Sequence, residues 1–474
     1  METPYMENTI KGKSFNKFLA LWSGDIIASI GTGLTAFALG VYIFNLTGNA
    51  TDVALVTLFA FLPLVLLNPL AGVLADRFDR RVLMLLGDGL SVFGLLYILL
   101  CIINGGIEPW QIYLGVGISS VFTALLEPSY KATITDLLTK DEYAKASGLV
   151  QLAGSAKFLL SPFIAGILLS FTGIETILLI DISTITITLP VTLFIKRGIT
   201  KTEYIVHEKQ SFWKDFKDGW KAITAKRGVL LVIMVISVAT FYIGFLQTLF
   251  TPMMLSITDV KTLGIVESLS AVGMLISSLI IGMITITKKY VRQLVIGLSL
   301  AGLFITLLGL QPNVLLIGTF AFLFFAALPF VNTSADVLVR RNIPNDKQGR
   351  VWGLIGILSQ IGFIISYCVS GVLADQVFNP LLSDGGTLTS TIGQIIGIGE
   401  GRGIGLLLII SGLLLILLAI IMGRNHSIQT LEEESLQNIN PTAEPEQIAD
   451  IEKNLVQNMN KNSQMCVTEE KGNE

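Results

Sequence analysis

Apolar residues fall in twelve long runs, at about 18–44, 51–74, 82–103, 109–128, 145–170, 174–195, 229–254, 262–286, 292–310, 312–336, 351–373 and 401–422, parted by charge clusters and Gly/Pro turns. A membrane-spanning helix needs about 20 predominantly apolar residues, so each run is long enough to cross the hydrocarbon, tilting where it is longer. The pattern predicts an all-α polytopic membrane protein with 12 transmembrane helices.

The longest internal polar stretch divides the runs six and six. The expected organisation is a cytoplasmic N-terminal segment 1–17, a six-helix bundle 18–195, a cytoplasmic linker 196–228, a second six-helix bundle 229–422 and a tail 423–474. Within the linker, Phe212, Phe216 and Trp220 recur at i, i+4, i+8 beside Lys214, Asp215, Lys217 and Asp218. That spacing predicts a short amphipathic helix along the inner membrane surface.

Composition agrees. The 474 residues are 52% hydrophobic with mean hydropathy +0.71, and only 14% are charged, against roughly 25% in a soluble domain. A soluble enzyme is excluded. The net charge of −3 is uneven: 425–474 carries −7 and the remainder +4, so the tail reads as an acidic, disordered cytoplasmic appendix. The first run, about 27 residues long, is too long for a cleaved signal and reads as a span.

Orientation follows from the basic residues. With the N-terminus in the cytoplasm, 29 of the 32 Lys and Arg lie inside; Lys261 and Arg402 lie outside, and Lys157 lies within a span. Both termini are therefore expected in the cytoplasm, with the chain multi-pass in the cell membrane; the resemblance given below implies a bacterial one.

Chemistry is thinly supplied. Cys101, Cys368 and Cys466 are far apart, and His207 and His426 lie in polar segments, so no disulfide framework, metal site or cofactor is expected. No GxxxxGK[ST], HExxH or GxSxG pattern occurs, which argues against ATP use and against an enzyme and leaves an ion gradient, protons foremost, as the energy source. Nucleic acid is not an expected partner.

What stands out is charge inside the runs: Asp25, Asp88, Glu127, Lys157, Asp181 and Glu267. A charge in hydrocarbon costs several kcal/mol unless it faces water or a partner. Asp88 either braces Arg80 or Arg81 from one turn deeper or belongs to this buried set. Glu127, four residues before Lys131, is either a helix-surface ion pair or part of coupling. Lys157 is expected to neutralise Asp25 or Glu127 until a proton arrives on the acid, with purely structural pairing as the alternative. Pro162 cannot donate to the carbonyl of Phe158, so the fifth run should kink there.

After the second run comes Gly72-Val-Leu-Ala-Asp76-Arg77-Phe-Asp-Arg80-Arg81. Gly72 permits close approach of another helix, Asp76 can meet a helix N-terminus, and the arginines favour the cytoplasmic face. A weak echo opens at Gly282, and a second GVLAD at 371–375 reads as composition because it faces out. The 72–81 segment resembles the signature loop of the major facilitator superfamily. The resemblance implies the superfamily's fold of two six-helix bundles, with this loop locking the halves in an outward-open state and releasing them on protonation or strain; Asp88, from its place near the arginines, and Pro162, as a hinge, are added to the expected gating set.

Within that superfamily the chain resembles bacterial macrolide-efflux-type permeases, in LWSGDIIASIGTGLTAFAL at 21–39, Leu62–Pro63, Asn68–Pro69, Glu127–Pro128, IPNDKQGRV at 343–351 and GIGEGRGIGLL at 397–407. Those permeases often carry Gln where Asp25 stands. SPFIAG at 161–166 is similar to an exporter-associated pattern, with Ser161 in place of its usual Gly. The resemblance implies a drug:proton antiporter of hydrophobic, macrolide-like compounds, with antibiotic resistance as its consequence. Exporters of an endogenous lipid, peptide antibiotic or siderophore, or a transport-like sensor, are the alternatives. Candidate cavity residues are Phe37, Gln151, Phe241, Gln247, Asn332 and Gln360, a sparse polar set suited to amphipathic cargo. The expected partners are that cargo, protons and the lipid bilayer, with the protein monomeric.

Overall fold

The computed structural model describes residues 14–197, 212–283, 289–343 and 348–439. The segment before residue 14, the first part of the linker, 284–288 after Gly282, 344–347 of IPNDKQGRV and the tail beyond 439 lie outside the described residues. Among the described residues, twelve helices are long and apolar enough to cross a membrane.

The first half comprises α1 (Phe15–Thr47), α2 (Ala50–Arg77), α3 (Arg80–Ile103), α4 (Pro109–Thr123 continued by Leu126–Leu137), α5 (Tyr143–Leu169) and α6 (Ile174–Arg197). The linker helix α7 (Phe212–Ala225) does not cross. The second half comprises α8 (Arg227–Leu255), α9 (Val260–Met283), α10 (Tyr290–Leu310), α11 (Val314–Asn342), α12 (Gln348–Leu373) and α13 (Arg402–Arg424). With an even number of crossings, the start of α1 and the end of α13 share one side. The arginines of the α2–α3 turn, Arg340, Arg341 and Arg424 lie there too; it is called the basic end below.

Helices rather than strands are the only open-ended solution in hydrocarbon, because each satisfies its own backbone. They leave exposed large apolar side chains, among them Leu66, Phe93, Phe158, Phe194 and Met283, with Phe171 in the turn after α5. Apolar surface of this extent suits lipid, not water. Several helices outrun their apolar sequences at the ends. Ser14 caps α1 by accepting from the Lys17 N–H at 3.5 Å, and Asp79 caps α3 by accepting from the Arg81 N–H at 3.0 Å.

In each half the helices pack in a ring. In the first, α1 lies against α5 and α6, and α3 against α4 and α6; in the second, α10 lies against α11 and α13, and α8 against α12. The halves meet chiefly through α5 with α9 and α2 with α12. At the α5–α9 crossing a Cβ on Gly264 would sit 2.2 Å from the Pro162 carbonyl oxygen, so only glycine allows this approach. The Phe163 N–H donates to Ser268 Oγ at 3.0 Å. Pro162 thus takes part in a packed contact between halves in this state.

These contacts lie toward the end opposite the basic end and reach inward as far as Phe61, whose ring is 5.9 Å from Phe363 and 5.5 Å from Tyr367. Beyond that, Gly72, Gly148, Gly154, Gly282, Gly353 and Gly356 face open space. These contacts between the halves thus gather toward the end opposite the basic end, with space beside these glycines on the other side.

One expectation is corrected. The segment from 423 is not a disordered appendix at its start: α14 (His426–Ile439) packs on the second half. Ile428 and Leu431 are 1% and 2% exposed, and a hydrophobic pair three apart gives the acidic helix a face to bury. The linker helix was anticipated, and Ile223 anchors it in the core while Trp220 stays exposed.

Candidate functional site: a charged cavity inside the first half

A cavity of about 420 Å³ lies within the first six-helix half rather than between the halves. Asp25 from α1, Asp88 from α3, Lys157 from α5 and Asp181 from α6 line it, together with Tyr130 and a band of serine and threonine hydroxyls. Four of the charges that stood out in apolar runs therefore share one space.

Two glycines of α1 bring this about. A Cβ on Gly31 would lie 2.8 Å from Asp181 Oδ1, and one on Gly33 would lie 2.3 Å from Ser161 Oγ and 3.0 Å from Lys157 Cγ. Their absence lets α6 and α5 close on α1 from two sides. Ser161 then donates to the Ile30 carbonyl at 3.0 Å, and the Trp22 indole N–H donates to the Leu149 carbonyl at 2.6 Å. The serine in place of glycine before Pro162 is a tie between α5 and α1.

The cavity groups are paired loosely. Lys157 interacts with the charge of Asp181, and Asp88 with Thr188. The Tyr130 hydroxyl faces Asp25 and the Thr35 hydroxyl faces Asp181, yet neither closes a hydrogen bond of normal geometry, although both are buried. Unpaired buried hydroxyls are uncommon, and both residues belong to the cavity wall. Among the described residues no group of three or more His, Cys, Asp and Glu is placed to hold a metal ion.

The structure bears on three of the charges for which the sequence left alternatives open. Lys157 shares the cavity with Asp181, and the carboxylate charge that acts on it is that of Asp181 rather than of Asp25 or Glu127, because α6 is the helix drawn against Gly31. Glu127 lies outside the cavity and bonds to Lys131 at 2.6 Å with both side chains largely exposed, the ordinary i, i+4 pair. Asp88 does not brace the arginines: Arg80 pairs with Asp136 at 2.7 Å and donates to the Ala132 carbonyl at 3.0 Å, both on α4. Arg81 is buried, whereas Asp76 and Arg77 are exposed.

None of the six cavity candidates lines this space. Phe37 is core, 9% exposed and packed among apolar side chains, since an aromatic residue within a run serves packing as readily as binding. Phe241 stacks edge-on against Tyr242 and Phe245. Gln247 accepts a hydrogen bond from the Tyr367 hydroxyl, beside the Phe61 and Phe363 rings at the inner limit of the contacts between the halves. Gln151 and Asn332 are exposed and Gln360 half-buried. Sequence reasoning missed Tyr130, Thr35, Phe363 and Tyr367; a hydroxyl or ring within an apolar run carries no signal comparable to a charge.

Glu267 is set apart in the second half, with the Thr251 hydroxyl 3.4 Å away. Outside the spans, Asp259 accepts from the Thr262 N–H at 2.7 Å. That bond, with help from the nearby Lys261 charge, holds its carboxyl below the usual value of 3.8.

A membrane-embedded pair of six-helix halves, in contact toward one end and with titratable groups within, defines a multi-pass transporter. The sequence model of the Major Facilitator Superfamily matches residues 21–367, and the chain belongs to that family, with the macrolide-efflux-type permeases as its relatives within it. It is 24% identical to Macrolide efflux protein A of Streptococcus pyogenes over 376 residues, 76% of this chain and 90% of that one. It is 27% identical to Multidrug resistance protein 2 of Bacillus subtilis (strain 168) over 391 residues, covering 79% of this chain and 94% of the relative. In fold it is similar to a bacterial homologue of the human lysosomal transporter Spinster in an inward-facing, unoccupied conformation, with TM-score 0.66 and 13% identity over 91% of this chain and 99% of that one. The nucleoside transporter NupG is similar too, with TM-score 0.65 and 15% identity over 87% of this chain and all of the other.

Proposed function

We propose that the chain exports hydrophobic or amphipathic small molecules, of the kind macrolides represent, in exchange for protons by alternating access of its two halves. The observation that carries this reading is the shared cavity of Asp25, Asp88, Asp181 and Lys157. With every group ionised, three carboxylates face one ammonium. Uptake of protons, or of a cationic group on the cargo, removes the excess charge, so the two compete for one space. Protonation of Asp181 releases Lys157 from its partner, and the electrostatic change is passed to α1, α5 and α6, which pack directly around it. The names of the relatives, macrolide efflux and multidrug resistance, support a drug-like cargo.

In this reading the basic end faces the cytoplasm, consistent with the placement of Lys and Arg, and the described state opens inward. The Gly72–Arg81 loop is disengaged, with Asp76 exposed and open space beside Gly72, as suits a clamp that closes only when the protein opens outward. The bundles are taken as 18–195 and 229–422, and a single copy suffices.

The test is export from reconstituted liposomes under an imposed pH gradient, using a panel of amphipathic compounds including macrolides. Asp25→Asn, Asp181→Asn and Lys157→Met should abolish gradient-driven export while leaving downhill exchange measurable. Unimpaired gradient-driven export in all three would overturn the proton assignment.

A further inference from the structure

The pentapeptide Gly-Val-Leu-Ala-Asp occurs twice, at 72–76 where α2 reaches the basic end and at 371–375 where α12 reaches the opposite end. These helices run antiparallel and face one another between the halves. The two copies are in different conditions.

The second copy is engaged. The first N–H groups of a helix have no partner within it. Asn49 occupies the position that would cap α2, but makes no capping bond; its amide donates to Asp52 at 3.2 Å. Asp375, from the other half, takes that place. Its Oδ1 accepts from the Ala50 N–H at 3.1 Å, and its Oδ2 accepts from the Thr51 N–H at 2.7 Å and the Thr51 hydroxyl at 2.6 Å. A carboxylate here also meets the positive end of the helix dipole. One turn earlier, a Cβ on Gly371 would lie 2.3 Å from Thr51 Cα, so glycine at 371 is what lets the two helix ends meet. At Asp375 itself α12 widens into a π turn, Ala374–Phe378, a form often found at functional positions.

The first copy is idle: no atom lies within 4 Å of a Cβ on Gly72, and Asp76 is exposed.

We propose that Asp375 is a positioning residue for alternating access. By capping α2 from the other half it latches the opposite end shut while the basic end is open, and it must let go for the protein to reverse. It acts on the α2 terminus and not on cargo. Asp76 is its counterpart for the reversed state, a pairing that rests on the clamp reading of the signature loop; the role of Asp375 in the described state does not.

The experiment measures the latch directly. In a background with Cys101, Cys368 and Cys466 replaced, spin labels at the exposed positions Asn104 and Asp384 report the separation of the halves at the opposite end, and labels at Asp141 and Arg292 report the basic end. Distances are read in lipid nanodiscs. Asp375→Ala should lengthen the first distance and shorten the second, moving the ratio of the two states about tenfold, the size expected for losing a good helix cap. Thr51→Ala should act in the same direction but less, and Asp375→Glu should restore part of the shift. Asp76→Asn should act oppositely, and the Asp76→Asn/Asp375→Ala double variant should return toward the unsubstituted ratio. A folded Asp375→Ala protein whose two distances match the parent overturns the proposal and leaves a static cap. If that variant is not recovered, Thr51→Ala and Gly371→Ala decide in its place, and unchanged distances in both overturn it equally. These distances need neither cargo nor gradient, so a failure of proton-driven export leaves them standing.

Discussion

Gly31 and Asp181 are in such close contact that a side-chain methyl on residue 31 would sit 2.8 Å from Asp181 Oδ1 and 3.4 Å from Asp181 Cα. The carboxylate is short and its backbone is near, so it has little room to yield. Gly31→Ala should cost about 1–3 kcal/mol of stability and reduce export several-fold by displacing an acid of the cavity. Gly33→Ala should be worse, because it meets Ser161 at 2.3 Å and breaks the tie to Ile30. Thermal unfolding in detergent and export rates in liposomes check the order.

Lys157 and Asp181 should behave as a coupled pair. Removing either charge leaves the other in a poorly solvated space, so each single neutral variant should be less stable than the Lys157→Met/Asp181→Asn double variant would suggest by addition. A double-mutant cycle on thermal stability should give a coupling of about 0.5–3 kcal/mol. Substituting Asp25 for Asp181 in the cycle should give a smaller value; equal couplings would remove the pairing.

Arg80 joins the start of α3 to α4 through Asp136 and the Ala132 carbonyl. Asp136→Asn should therefore loosen the basic end of the first half by about 1 kcal/mol, seen as faster amide hydrogen exchange over 126–137. Asp88→Asn should leave exchange there unchanged and alter transport instead.

The N-terminus of α9 supplies a pH dependence. Asp259 has its folded value depressed below 3.8, chiefly by the Thr262 N–H bond. Its stabilising contribution is thus complete above the unfolded value and is lost as pH falls through the lower folded one. Asp259→Ala should lower stability at neutral pH by about 1 kcal/mol, and the difference from the parent should vanish in acid below about pH 3. Unfolding midpoints measured across that range test both statements.

The twelve crossings were legible because hydrocarbon demands a long apolar length, and each run lies on one spanning helix. Ends were less so. α4 goes on to Leu137 past a turn at Ala124–Leu125, carrying Lys131 and Asp136 beyond the end of the apolar run at about 128. Charges inside apolar runs announced Asp25, Asp88, Lys157 and Asp181, since each needs a compensating environment. Which of them meet was not readable. Spacing along one helix says nothing about which neighbour closes on it, and that is settled by Gly31, Gly33 and the hydroxyls they admit. The same limit hid the role of Asp375: its partner lies 324 positions away, and its meaning appears only when α2 and α12 stand side by side.

The helix α14 straps the second half from outside. Its Leu431 carbonyl accepts from Asn342 Nδ2 at 3.2 Å, its Glu432 accepts from the Tyr290 N–H at 3.0 Å, and its Ser427 carbonyl lies over Gly228. Three helix ends, from α8, α10 and α11, are thereby bound to one short rod. A reporter protein fused at residue 425 would peel that rod away and let the ends fray, whereas one joined beyond Ile439 keeps the strap in place.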